Sequence, residues 1–202
     1  MISMNSKKSF SGFTLIEILI VISLTAAIVV GYTYISARKG KEKAYYTRAV
    51  SELSVISNAI KLQVQENNIY PDDVSRALPA GVEEYIATPN DEWPNAPWPG
   101  TVYDYENWDS GQVIQVSARF CLAGQNTICK DNAAKYLKQL VKACSPDTQT
   151  CLSQDDLDDW DALSAVYICI KENLSSATAQ CRSHSSMPLT HPGLRIDIST
   201  AR

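Results

Sequence analysis

The side chains that could do chemistry lie in two separate parts of this 202-residue chain. Near the N-terminus, Glu17 is the one charged residue in a long apolar run, residues 13–35. An ionised carboxylate inside a bilayer would cost about 3 kcal/mol, and a plain membrane anchor gains nothing from it. Two interpretations therefore stay open. Either Glu17 lies at the interface, solvated or protonated, or its carboxylate meets a cation once the segment leaves the lipid.

The second group of reactive side chains is a set of six cysteines, all in the C-terminal half. An even number confined to one region predicts disulfide bonds formed in an oxidising compartment. Reduced cysteines packed in a core are the alternative, and the spacing does not choose among the possible pairings. The candidates are Cys121, Cys129, Cys144, Cys151, Cys169 and Cys181.

Acidic clusters and two histidines are the candidate metal ligands. Calcium prefers carboxylate oxygens, but no register of the aspartate cluster supplies the glycine and glutamate of an EF-hand loop. We expect solvated acidic surface there and no cofactor, with calcium as one alternative and zinc on the histidines and nearby cysteines as a weaker one. The residues concerned are Asp155, Asp156, Asp158, Asp159 and Asp161, then Asp104, Glu106 and Asp109, and finally His184 and His191.

Catalytic motifs are lacking in the sequence. Two histidines leave little room for a histidine-based nucleophilic triad, and neither Gly-x-Ser-x-Gly nor a phosphate-binding glycine loop occurs. We therefore do not expect an enzyme. Residues 36–69 carry six basic and three acidic residues, whereas residues 70–202 carry ten basic and eighteen acidic ones. This acidic balance gives no reason to expect a nucleic-acid partner.

The apolar run predicts a membrane-spanning helix over residues 13–35. At about 1.5 Å per residue it is long enough to cross a hydrocarbon core of about 30 Å, and it is too long for an ordinary signal peptide. The helix is expected to continue over residues 36–69 and to stop near Asn67. The stripe on this continuation indicates an amphipathic helix. Its members are Ala49, Leu53, Ile56, Ile60 and Val64.

The residues from Lys7 to Glu17, Lys-Lys-Ser-Phe-Ser-Gly-Phe-Thr-Leu-Ile-Glu, closely resemble the cleavage signature of type IV prepilins and type II secretion pseudopilins. The resemblance implies that residues 1–12 are a leader, cut between Gly12 and Phe13 by a prepilin peptidase. It also implies that the new Phe13 amine is methylated. Glu17 would then pair with the Phe13 amine of a neighbouring subunit.

The resemblance implies a structural subunit of a pilus or pseudopilus. Its expected partners are the peptidase, other copies and other pilins, the assembly platform, and the membrane before assembly. We expect a single-pass precursor whose head lies outside the cytoplasm, although the basic residues after the span favour the opposite orientation by charge alone. The finished filament would be extracellular or periplasmic. The alternatives are a minor tip pilin acting as an adhesin or DNA-binding module, or a membrane-anchored surface enzyme.

The remaining residues, 70–202, predict a globular head, so that the fold class is α+β. We expect a long N-terminal helix packed on a small antiparallel sheet, with a disulfide-rich C-terminal elaboration, similar to type IV pilins. The Trp/Pro run at residues 93–100 is interpreted as a cover for the core, with a ligand-binding loop as the alternative. The expected strands are Thr101–Trp108, Gln112–Cys121, Ala165–Lys171 and Leu194–Ser199, and the expected helices are Asp72–Leu78, Gly81–Ala87 and Asp131–Cys144.

Overall fold

The computed structural model describes residues 14–86, 92–142, 150–176, 178–185 and 191–197. The chain divides into two compact units, Met1–Lys41 and Glu42–Arg202. The elements are α1 (Leu15–Asn67), a 3₁₀ turn (Glu83–Tyr85), β1 (Val102–Trp108), β2 (Val113–Arg119), α2 (Asn126–Leu137), a 3₁₀ turn (Lys138–Leu140), α3 (Gln154–Asp158), β3 (Ala165–Lys171) and β4 (Gly193–Arg195). The α+β fold class is confirmed. The division into a leader, a span, a continuation and a head stays a prediction.

The part of α1 that belongs to the second unit packs on the sheet through its predicted apolar stripe. Ala49, Leu53 and Ile60 are fully buried, and they join the same core as the side chains of β1 and β2. The helix ends as predicted, because Asn68 adopts a φ of 57° and donates its N–H to the carbonyl of Val64 at 2.8 Å. A left-handed residue at this position satisfies one of the last free helix carbonyls.

The head contains a four-stranded sheet in the order β1-β2-β3-β4. The predicted hairpin is confirmed, and its turn residues Asp109, Ser110 and Gly111 all have positive φ. The bounds of β3 are as predicted. The sheet is not wholly antiparallel, because β4 runs parallel to β3. The connection between these strands is long, as a parallel crossover requires.

All three helices predicted in the head differ from the structure in existence, kind or bounds. No helix forms over residues 72–78, since Val74 pairs with Tyr105 of β1 and Arg76 has a φ of 57°. The next predicted helix shortens to the turn Glu83–Tyr85. Helix α2 begins at Asn126, five residues before its predicted start, because the face that it buries includes Cys129 as well as Leu137.

The Trp/Pro run covers the core, as predicted. Trp98 is fully buried, with its ring 5.1 Å from that of Phe120, and Trp160 packs edge-on against the same phenylalanine at 5.5 Å. Trp93 is half-buried and lies 6.0 Å from the ring of Tyr103. Burial of rings of this size contributes much of the hydrophobic stabilisation of a small head.

The disulfide prediction is confirmed for the described cysteines. Cys121 bonds to Cys129, which ties the end of β2 to α2. Cys169 bonds to Cys181, which ties β3 to the segment that follows it. Cys151 is likewise disulfide-bonded, and Cys144 lies outside the described residues. These bonds restrict the unfolded chain and so stabilise a head of modest size.

Candidate assembly segment at the N-terminus

The first unit presents an apolar helical surface that its own chain does not cover. Residues Leu15–Tyr34 have a mean hydropathy of 2.4, and none of them is buried. Ile16 and Ile28 are 65% and 70% exposed, and the other residues of the span are exposed as well. By length and composition this segment is able to cross a membrane. In water its apolar surface is stable only against lipid or another protein.

The serine and threonine hydroxyl groups in this segment find their partners within the helix. Ser23 donates to the carbonyls of Leu19 and Ile20, and Thr25 donates to those of Val21 and Ile22. Groups of this kind need an internal acceptor in lipid, where water is absent. Their hydrogen bonds make the helix face compatible with an apolar environment.

Glu17 and Thr14 form a reciprocal cap at the start of α1. The Thr14 backbone N–H and its hydroxyl each donate to Oε2 of Glu17 at 2.8 Å, and the Glu17 N–H donates to the Thr14 hydroxyl at 3.3 Å. This is the capping box that Thr-x-x-Glu encodes before an apolar run. The motif is visible in the sequence as Thr-Leu-Ile-Glu at residues 14–17.

The cap supplies Glu17 with neutral hydrogen-bond donors and with no counter-ion. Within the part of the chain that the structure describes, no basic side chain forms an ion pair with this carboxylate. A carboxylate also has lone pairs to spare when only one of its oxygens is engaged. Glu17 is therefore held in place and still able to accept a cation from outside its own chain.

The comparisons with known proteins bear on this same segment. Residues 7–33 match the family model described as the prokaryotic N-terminal methylation motif. No curated protein and no solved structure matches the chain.

Residues 7–33 therefore carry the prepilin signal of type IV pilins and pseudopilins. The match supports a pilin-like or pseudopilin substrate of prepilin peptidase. Gly12 and Phe13, the predicted cleavage site, lie outside the described residues. Cleavage there and pairing of Glu17 with Phe13 stay predictions.

In the head, two members of the acidic group Asp104, Glu106 and Asp109, one of those suggested for calcium, bind an arginine. The Arg119 guanidinium bonds to Asp104, with Nε at 3.1 Å from Oδ2, and its NH2 group bonds to Glu106. All three side chains are buried. Burial lowers the pKa of Arg119, whereas the charge of Asp104 opposes that shift. Asp109 lies apart, exposed in the hairpin turn.

The polar face of β2 is buried instead of solvated. Gln115 donates to the carbonyl of Arg182 at 2.7 Å and accepts from the Arg182 N–H at 3.2 Å. Arg119 donates to the carbonyl of Ser183 at 2.6 Å. The segment after Cys181 thus covers this face and supplies hydrogen-bond partners to Gln115 and Arg119, as buried polar groups require.

Two aspartates of the other acidic group, residues 155–161, take part in local structure. Asp156 and Ser153 form the capping box of α3. Asp161 accepts from the Leu163 and Ser164 N–H groups at 2.9 and 2.8 Å, and it lies 2.7 Å from Nδ1 of His191. Burial alone would raise the pKa of Asp161, but the hydrogen bonds from Ser164, Leu163 and His191 lower it overall.

The histidines lie close together, with ring centroids 5.7 Å apart for His184 and His191. The one cluster of metal-ligating type among the described residues contains Cys169, Glu172 and Cys181. Its two sulfur atoms are bonded to each other, so neither is a thiolate ligand. Glu172 is engaged by Arg195, at 2.7 and 3.0 Å.

Proposed function

We propose that this protein is a structural subunit of a type IV pilus or pseudopilus filament, which polymerises through residues 13–35 and catalyses no reaction. One observation carries the proposal: a helix that is apolar and exposed along its whole span holds a single carboxylate at its N-terminal end. Such a surface needs a partner of its own kind, and the carboxylate gives that partner a defined position.

The Thr14 cap gives the Glu17 carboxylate hydrogen-bond partners before assembly. In the membrane-bound precursor, the hydrogen bonds from Thr14 partly satisfy the carboxylate, which reduces the cost of placing it near lipid. After cleavage, the free Phe13 amine of a neighbouring subunit offers a positive charge. Two opposite charges at about 4 Å attract by about 4 kcal/mol where the effective dielectric constant is about 20. The carboxylate then accepts this stronger partner.

The pair selects the stagger of neighbouring helices more than it adds stability. A charge left unpaired between packed apolar helices is penalised, so that only a register that brings Glu17 to an amine is favourable. Packing of the exposed apolar side chains supplies the remaining attraction. The register of neighbouring helices and the attraction between them thus come from different residues of the same segment.

Topology and partners follow from the same proposal. Prepilin peptidase and an assembly platform act on a precursor anchored by residues 13–35, and the head lies outside the cytoplasm. The disulfides of the head support this orientation, because they form in oxidising compartments. The acidic balance of residues 70–202 does not favour the tip-pilin alternative in its DNA-binding form.

The test is a pair of substitutions at matched positions in α1. Glu17→Ala removes the carboxylate, and we expect membrane insertion to persist while the yield of sheared filaments falls at least about a hundredfold. Ser23→Ala is the control, since it removes a polar group that bonds only within its own helix. Filaments are quantified by shearing and immunoblotting, and insertion by fractionation. Normal filaments from Glu17→Ala would refute the role given to the Glu17–Phe13 pair, and a wild-type protein that forms no filaments would refute the structural role itself.

A further inference from the structure

The head contains a cleft of about 530 Å³ at the end of α1. Its walls come from the residues just after the helix, from the β1–β2 turn and from the end of β3. Asp72 and Asp73 line it together with Asn68 and Asn107. The cleft is thus open, concave and rich in oxygen atoms, at one end of the second unit.

The charged side chains that line this cleft differ in their contacts with the rest of the chain. Lys171, its one basic residue, donates to the carbonyl of Gly111 at 2.5 Å and lies over the Tyr70 ring at 5.3 Å. Asp72 and Asp73 form no ion pair within the described residues and are exposed. A cationic group that enters the cleft meets two carboxylates whose charge is not neutralised.

The opposite end of the same helical stretch carries the complementary charge. Lys43 is exposed and also lacks an ion pair within the described part of the chain. About 36 Å of helix separates it from the end of α1, at 1.5 Å per residue. The basic balance of residues 36–69 and the acidic balance of residues 70–202 show the same asymmetry. Lys43 cannot reach the cleft of its own chain.

We propose that the cleft lined by Asp72 and Asp73 receives Lys43 of a second copy of this chain. The contact joins two different surfaces, one at each end of the same helical stretch. Interfaces of this head-to-tail kind generate rings when their rotation closes and open helical filaments when it does not, and the proposed function calls for the second case. The inference rests on the proposed function and adds to it a contact made by the heads, separate from the pair at Glu17.

Complementary charges of this kind govern which surfaces meet, and like charges placed opposite each other oppose association. The contact therefore predicts a pattern that a purely structural residue would not show. Each single charge reversal places like charges together, whereas the double reversal restores the attraction with its direction inverted. Asp72 suits the test because it is exposed and has no hydrogen bond within the described residues.

The experiment compares full-length Lys43→Asp, Asp72→Lys and the double variant with wild type, by the yield of sheared filaments at low salt. We expect each single variant to lose at least about tenfold, and the double variant to recover to within about threefold of wild type. Lys61→Glu is the control, since Lys61 is an exposed lysine on the same helix between its two ends. Tryptophan fluorescence verifies that every head is folded.

Two results would overturn the inference while the proposed function stands. One is that the single variants assemble like wild type, and the other is that the double variant assembles no better than the singles. In both cases the filaments would still need Glu17. A Lys61→Glu loss equal to that of Lys43→Asp would also overturn it, because the effect would then be one of net charge. Absence of filaments from wild type would defeat the proposed function and this inference together, whereas normal filaments from Glu17→Ala would refute only the pair at Glu17.

Discussion

The N-terminal segment and the head differ in where their apolar and charged side chains lie. Along Leu15–Tyr34 the apolar side chains are exposed and the single carboxylate lies beside them. In the head a core of apolar side chains is buried, together with a cluster of three charges: Asp104, Glu106 and Arg119 are 7%, 3% and 2% exposed. The head thus finds its partners within its own chain, whereas the segment must find them in lipid or in other copies.

This contrast separates folding from assembly. A buried charge that has lost its partner destabilises a fold by several kcal/mol, whereas an exposed one costs little until it is desolvated. Substitutions in the Arg119 cluster should therefore act on stability, and substitutions at Glu17 should act on association. This distinction fails if Arg119 controls association or if Glu17 controls the stability of the head.

The largest effect on stability is expected from Arg119→Ala. Removal of the guanidinium leaves Asp104 and Glu106 buried without their cation, so that the free energy of unfolding should fall by about 3–5 kcal/mol. All four tryptophans lie after residue 90, and urea unfolding in detergent micelles followed by tryptophan fluorescence therefore reports on the head.

The matched variant in that measurement is Glu17→Ala. Its head should unfold within about 0.5 kcal/mol of wild type, because Glu17 bonds only to Thr14 among the described residues. A change of less than about 1 kcal/mol in Arg119→Ala, or a large change in Glu17→Ala, would contradict the separation of the two regions.

A smaller effect, dependent on pH, is expected at Asp161. Its folded pKa lies below its ordinary value. Its carboxylate therefore contributes stability above the unfolded pKa of about 3.9, and this contribution is lost as the pH falls through the folded pKa.

Asp161→Asn should thus be less stable than wild type by about 1 kcal/mol at pH 7. The difference should shrink as the pH falls below about 4. Urea unfolding at a series of pH values measures it. A difference that stays constant or grows on acidification would show that the ionised carboxylate is not the stabilising group.

The features that the sequence could predict are those with local causes. The apolar span, the stripe from Ala49 to Val64, the hairpin turn at Asp109 and the bounds of β3 all follow from short-range spacing. The prepilin signal is also a contiguous motif, confirmed over residues 7–33. Even the Thr14–Glu17 cap is a local pattern, and a search for Thr-x-x-Glu before the apolar run would have found it.

The features that it could not predict depend on segments far apart in the chain. The polar face of β2 is buried because Gln115 and Arg119 bond to Arg182 and Ser183, more than sixty residues later. The direction of β4 depends on the path of the long connection after β3. Periodicity in a strand shows which residues share a face, but not which distant segment covers that face.

The central claim is most directly tested by the N-terminus of the mature protein, purified from membranes and from sheared material. Intact mass and N-terminal sequencing should give a chain that begins at Phe13, with its amine methylated. A mature chain that still carries Met1 or Lys7 would contradict the account, because Glu17 would then have no neighbouring Phe13 amine with which to pair.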